Sequence, residues 1–223
     1  MSRTAFAFAL CAALMVVSAR AQDVPAEILF MRPHLAGLPA GTELTYRLDR
    51  KSSDPGRLGE PFSDDITLSL GAAAPDGSRD VGLRIFTGER AREVDALGGL
   101  TGNPLLVVFL DRAVANLVRL TGGKAPYLKA RLRAALRDQA TSAATKAEYE
   151  GRTLEATRIV VRPFADGAEA GRLLGYEDSE FAFLVAEAAP GMLLEMKSSF
   201  TSTLPDAPKL EERVVLKSTG TKP

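Results

Sequence analysis

"NPLLVVFLDRAVANLVRLTGG", residues 103–123, decides how the rest of the chain is read. Asn103 can cap a helix and Pro104 suits a first helical turn. Gly122-Gly123 stops it. At 100° per residue Leu106, Leu110, Ala113, Leu117 and Leu120 share one face, with Phe109 on its flank. Asp111, Arg112, Ala115, Asn116 and Arg119 take the other face, and Leu105 and Val108 fall on that same side. The first turns are therefore apolar all round, and such a helix has to be covered on every side. Two covers are open: the protein's own sheet, or a ligand, membrane or partner. Pro126 opens a second helix that runs to about Gln139, so the helical insert spans about 104–139.

Strand patterns lie on both sides of this insert. Leu44, Tyr46 and Leu48 alternate with Glu43, Thr45, Arg47 and Asp49. Ile66, Leu68 and Leu70 repeat the pattern, and Asp76-Gly77 suits a hairpin turn into Val81, Leu83 and Ile85. Val94 and Ala96 add a short strand; Gly98 to Gly102 reads as a flexible approach to the helices. After the insert come Leu154 to Val161, then Phe181, Phe183 and Val185. "APG" (189–191) turns into Met192, Leu194 and Met196, and "PDAP" (205–208) leads to Val214 and Leu216, with the tail after Lys217 read as frayed. Strands apolar on one face only belong to an antiparallel sheet with one covered and one wet face. The expected fold is α+β: a curved, mainly antiparallel sheet of about eight strands, a half-barrel with two mid-chain helices on its concave face.

The N-terminus reads as an export signal. Arg3 is followed by the apolar run Ala5 to Val17 and by Ala19-Arg20-Ala21, which fits a small-x-small cleavage site before Gln22. The run is short for a membrane span, which needs about 20 residues. Cys11, the only cysteine, lies inside the run after Leu10, which does not suit lipidation. The expected organisation is a signal peptide at 1–21 and one exported domain at 22–223, located in the periplasm or, as the alternative, secreted. No second apolar stretch reaches spanning length, since residues 104–120 contain Asp111, Arg112 and Arg119. After cleavage the chain holds no cysteine, so its core has to supply stability without disulfides.

Catalytic and metal-binding patterns are few. His34 is the only histidine and sits in the lead-in "MRPHLAGLP", where it reads as an ordinary polar residue. A G-x-S-x-G elbow is absent, and Gly122-Gly123-Lys124 lacks the rest of a phosphate loop. Asp64-Asp65, Glu148 with Glu150, and Glu177-Asp178-Glu180 are the acidic groups. A carboxylate-based hydrolase would need two of them about 5–10 Å apart; as solvated strand ends they need no such role. No cofactor or metal is expected.

One charge pattern stands out. Arg112, Arg119, Lys124, Lys129, Arg131, Arg133 and Arg137 lie in a segment without a single acid, bracketed by Asp111 and Asp138. Lys129, Arg133 and Arg137 form an i, i+4, i+8 row beside the apolar stripe Leu128, Leu132, Ala135 and Leu136. Acidic strands nearby, Glu148 and Glu150 for example, would make this a solvated face. An anionic lipid surface or acidic protein would make it a binding face, because a basic amphipathic helix beside an apolar one suits an interfacial lipid contact. Export and the near-neutral total charge, 28 basic against 28 acidic residues, speak against nucleic acid.

This order of elements, a leader, a one-sided antiparallel sheet over Thr42 to Lys217 and a mid-chain helical insert, resembles the exported half-barrel proteins of bacterial envelopes: periplasmic lipoprotein carriers and lipid-binding lipoproteins of mycobacteria. It is also similar to uncharacterised exported proteins of like layout. The resemblance implies helices that line or plug a cavity for acyl chains. The expected function is non-catalytic binding of an apolar or lipidic envelope component, with Leu105, Val108 and Phe109 as apolar contacts and Lys129, Arg133 and Arg137 facing an anionic partner. A structural or assembly protein acting through envelope-protein contacts is the alternative, and a hydrolase the third reading.

Overall fold

The computed structural model describes residues 24–168 and 171–221; the expected leader at 1–21 lies outside them. A short helix α1 (Pro25–Phe30) precedes strand β1 (Thr42–Ser52), a one-turn α2 (Pro55–Leu58), β2 (Phe62–Ala73), β3 (Arg79–Ile85) and β4 (Arg92–Leu100). Helices α3 (Leu105–Thr121) and α4 (Ala125–Asp138) follow, then β5 (Thr141–Tyr149), β6 (Arg152–Val161), β7 (Glu180–Val185), β8 (Leu193–Phe200) and β9 (Leu210–Thr221). All nine strands form one antiparallel sheet in the order β4-β3-β2-β1-β9-β8-β7-β6-β5. The fold is α+β, an open curved half-barrel holding its helices.

The topology explains the helical insert. The chain leaves the sheet at one edge, β4, and returns at the opposite edge, β5. Nine strands at about 4.8 Å spacing give a sheet roughly 38 Å wide. Helix α3 supplies about 25 Å and α4 about 21 Å of rise. The pair therefore crosses the sheet, and α3 covers its inner face: the rings of Phe109 and Phe183 meet edge to face at 6.0 Å. Strand alternation makes that inner face. Leu44, Tyr46, Leu48, Ile66, Leu68, Leu83, Phe183, Leu194 and Val214 all enter one buried cluster with Leu106, Leu117 and Leu132. Leu44 is fully buried, while its neighbour Thr45 is only partly covered. Leu44→Ala should cost about 2–5 kcal/mol in urea unfolding followed by circular dichroism, and Thr45→Ala under about 1 kcal/mol. Equal costs would mean that the inner face is misassigned.

Several expectations change. The sheet has nine strands because β5, with the polar stretch Thr141 to Tyr149, pairs residue for residue with β6. Gly98 and Gly99 lie inside β4 rather than in a flexible approach. The tail past Lys217 is not frayed: it continues β9, and Thr221 sits opposite Thr42. His34, expected to be an ordinary polar residue, is buried. Its Nε2 donates to the Ile28 carbonyl at 2.8 Å, and its Nδ1 accepts from the Asn103 N–H at 3.4 Å. Burial, aided by the charge of Arg32, holds this imidazole below its ordinary pKa although the Ile28 hydrogen bond pulls the other way. The neutral ring ties α1 to the start of α3.

Asn103 fixes that start. Its Oδ1 accepts from the Leu105 N–H at 3.1 Å, as a capping side chain does, while Nδ2 donates to the Tyr46 hydroxyl at 2.9 Å and the Gly191 carbonyl at 3.3 Å. Gly191 is required there. Its φ is +70°, and a Cβ would stand 2.7 Å from Leu44 Cδ1.

Candidate functional site

Helix α3 contributes to two different surfaces on two of its faces. Near its N-terminal end, α1, α3 and α4 enclose an apolar groove of about 170 Å³, lined by Phe30, Val107, Leu110, Val114, Leu132 and Leu136, with Asp111, Lys129 and Arg133 beside them. The apolar residue that α3 leaves in solvent is Val107, 57% exposed. Phe30 is 43% exposed and its neighbour Met31 77%. Large apolar side chains rimmed by cations are the arrangement of an interaction surface.

The expected ligand residues lie elsewhere. Leu105 and Phe109 are fully packed and Val108 half-buried, all three within or against the core. Neither this groove nor the cleft on another face of α3 is lined by them. A helical wheel puts Leu105 on the polar side; α1, α4 and the sheet wrap the first turns of α3 so that only Val107 faces out. Asn116, also on that polar side, is buried.

The basic row divides. Lys129 pairs with Asp111 at 2.8 Å, and Arg137 with Asp138 at 2.7 Å. Arg133 is exposed and has no carboxylate within ion-pair distance among the described residues. Hydrogen bonding from Arg137 holds the Asp138 carboxyl below its usual range. Arg131 pairs with Asp166 at 2.6 Å and Arg112 with Glu212 at 2.7 Å. The partners are thus the bracketing aspartates and two distant acids, not Glu148, which accepts from Thr153, nor Glu150, which sits between β5 and β6.

On another face of α3, an open cleft of about 660 Å³ lies between that helix and β1–β4. Five arginines and two glutamates line it, together with Leu58, Phe62, Ile85 and Phe86. Behind its wall Glu212, wholly buried, is shared by Arg50 and Arg112. Arg50 sits directly opposite Glu212 in the β1–β9 register and also donates to Asn116 Oδ1 at 3.1 Å and the Leu58 carbonyl at 2.8 Å.

No family model and no curated protein matches the chain. Two solved structures are similar to it. One is the lipoprotein LppX of Mycobacterium tuberculosis, at 10% identity and a TM-score of 0.33 over 81% of this chain and 87% of that one. The other is a LolA-superfamily protein from Nitrosomonas europaea, at 8% identity and a TM-score of 0.22 over 91% of this chain and 95% of that one. Identities this low carry no residue from one chain to the other.

Asp64, Asp65, Glu148, Glu177 and Glu180 are held in structural contacts. For Asp64, burial alone would push the carboxyl up, but hydrogen bonds from Thr87, the Asp65 backbone and Arg90 outweigh it and leave it below its ordinary value. Asp65 is likewise lowered against burial, by Lys217 and Arg47. Glu180 pairs with Arg162 at 2.7 Å. Among the described residues no group of three or more His, Cys, Asp or Glu is placed to hold a metal ion, and no helix is long and apolar enough to cross a membrane.

Sequence reading missed Phe30 and Val107, and it missed the Arg50–Glu212 pair. The latter had a signal. Two-residue alternation from Leu44, Tyr46 and Leu48 carries Arg50 to the covered face, and Val214 and Leu216 do the same for Glu212.

Proposed function

We propose that the protein is a non-catalytic, exported binding protein of the bacterial envelope, and that it meets an anionic lipid surface with the α1–α3–α4 face. The observation that carries this reading is the contiguity of exposed Phe30 and Val107 with Lys129 and Arg133 around one apolar groove. Apolar side chains enter the acyl boundary while cations on the same face meet headgroups. Arg133, with no carboxylate beside it, is the strongest single contributor, and Arg137 extends the row one turn further. The leader pattern at residues 3–21 supports periplasmic localisation. Low carboxylate pKa values at Asp64 and Asp65 suit ion pairing better than general-acid work. Leu105, Val108 and Phe109 would meet an acyl chain only if α3 lifted from the sheet; in the packed state the groove beside Val107 is the apolar contact.

Flotation of the protein with liposomes tests this. Anionic vesicles should carry it at low salt, less at 0.5 M salt, and neutral vesicles hardly at all, because salt shortens the screening length. An unpaired charge near the surface contributes about 1 kcal/mol, so Arg133→Gln should weaken binding roughly fivefold. The triple change of Lys129, Arg133 and Arg137 to Gln should weaken it further, but by less than the roughly hundredfold of three free charges, because Lys129 and Arg137 are paired with Asp111 and Asp138. Val107→Ser should weaken it at both salt concentrations. Wild type that ignores anionic vesicles, or a triple variant that binds them equally, would remove the lipid reading in favour of an assembly role through protein contacts.

A further inference from the structure

We propose that the cleft between α3 and β1–β4 is a second, separate binding site, for an anionic amphiphile: a phosphate-like or carboxylate headgroup joined to an apolar body. Four observations converge on it. First, charge is left over. The single carboxylate of Glu212 serves two guanidiniums, Arg50 and Arg112. Arg92 and Arg119, which also line the cleft, have no carboxylate within ion-pair distance among the described residues. Glu60 and Glu89 are the opposing charges at the lining, and both are exposed. Guanidinium forks match the paired oxygens of phosphate and carboxylate.

Second, a buried donor is unsatisfied. Asn116 lines the cleft and is more than nine-tenths buried, yet its Nδ2 has no hydrogen-bond partner while its Oδ1 is taken by Arg50. A buried amide donor without an acceptor is costly; that nitrogen is itself out of solvent reach, so an oxyanion in the cleft would satisfy it only after a local shift of the lining. Third, the cleft has an aromatic floor. Phe62 and Phe86 meet edge to face at 5.4 Å, with the Arg90 guanidinium 4.8 Å from the Phe62 centroid and that of Arg112 5.2 Å from Phe86. An apolar body has a surface to lie on next to the cations. Fourth, Phe86 holds φ at 69°, a strained conformation for an aromatic residue, which places its ring in that floor. The volume, about 660 Å³, suits a small-molecule ligand.

The site is on a different face of α3 from the groove proposed to face the membrane, so it can be tested without any membrane. Isothermal titration would use three probes below their micelle concentrations: dodecyl phosphate, inorganic phosphate and the neutral dodecyl maltoside. The expected result is saturable one-site binding of dodecyl phosphate, at least tenfold tighter than inorganic phosphate, with no binding of the maltoside. The doubly substituted R92Q/R119Q keeps the Arg50–Glu212–Arg112 cluster intact and should fold as wild type, yet bind dodecyl phosphate at least tenfold more weakly. Arg133→Gln, at the other groove, should bind like wild type. Equal binding of the neutral probe, equal binding of inorganic phosphate, no binding of dodecyl phosphate, or unchanged binding by R92Q/R119Q would each overturn the proposal. Weakening by Arg133→Gln alone would relocate the ligand to the α3–α4 groove and overturn it as well. Loss of vesicle flotation with intact dodecyl phosphate binding would strike only the membrane reading.

Discussion

Replacing Glu212 by glutamine should destabilise the protein by about 3–5 kcal/mol, the loss typical of breaking a buried ion pair. Glu212 is wholly buried, and its two carboxylate oxygens receive Arg50 and Arg112. Arg112 can reach solvent, since its side chain is about 29% exposed, but Arg50 at 4% cannot. Without the carboxylate, Arg50 remains as a buried cation held by neutral groups only, Asn116 Oδ1 and the Leu58 carbonyl. For a chain of this size the loss corresponds to a melting temperature lower by roughly 10 °C. Urea and thermal unfolding followed by far-UV circular dichroism would measure it. Changing Arg50 to Met together with Glu212 to Leu should recover most of the loss, because removing both charges also removes the cost of burying them. A Glu212→Gln cost below about 1 kcal/mol would mean that the cluster is open to water.

What the sequence made legible depended on whether local chemistry and tertiary context agreed. Helices α3 and α4 announced themselves through Asn103, Pro104, the glycine pair 122–123 and Pro126, and they end where those residues place them. The hairpin at Asp76-Gly77 forms with Ser78 donating to the Asp76 carboxylate, and Gly77 takes φ of +81°. Strand β5 was illegible for a physical reason. As the edge strand it is covered on little of its length, so Thr141 to Thr145 carry no apolar alternation, and the pairing with β6 makes the strand. The short α1 lacks the length for a periodic signal; Ile28, Leu29 and the His34 hydrogen bond hold it in place.

The candidate sites were less legible than the fold. A helical wheel assigns one face to the core, but the first turns of α3 are packed from several directions at once, by α4, by the sheet and by the segment around His34. That context buries Leu105, on the wheel's polar side, and exposes Val107. The basic row could be read from spacing, whereas its neutralisation could not: Asp111 lies on the neighbouring helix and reaches Lys129 only after α3 and α4 pack together. The cleft arginines come from β1, the β3–β4 connection, β4 and α3, so no local motif could have gathered them.

The second large effect concerns Leu105. Its side chain is fully buried at the start of α3, one residue after Pro104 and bonded through its backbone N–H to Asn103. Leu105→Asp would place a carboxylate among apolar neighbours, where an ion without a partner is far costlier than a cavity. The expected result is loss of the native far-UV spectrum at neutral pH, a destabilisation beyond about 5 kcal/mol. Leu105→Ala should instead leave a folded protein weakened by about 2–5 kcal/mol. The pair of variants decides what the first turns of α3 do. A helix that stays seated has no water to offer the introduced carboxylate, so the aspartate variant cannot fold. A helix that lifts readily from the sheet, opening an acyl-chain space lined by Leu105, Val108 and Phe109, would let that carboxylate reach solvent. The aspartate variant would then keep its fold, with faster amide exchange from position 105 to Phe109. That outcome would show that the packed state is one of two, with an acyl-chain space open to solvent beneath α3 in the other.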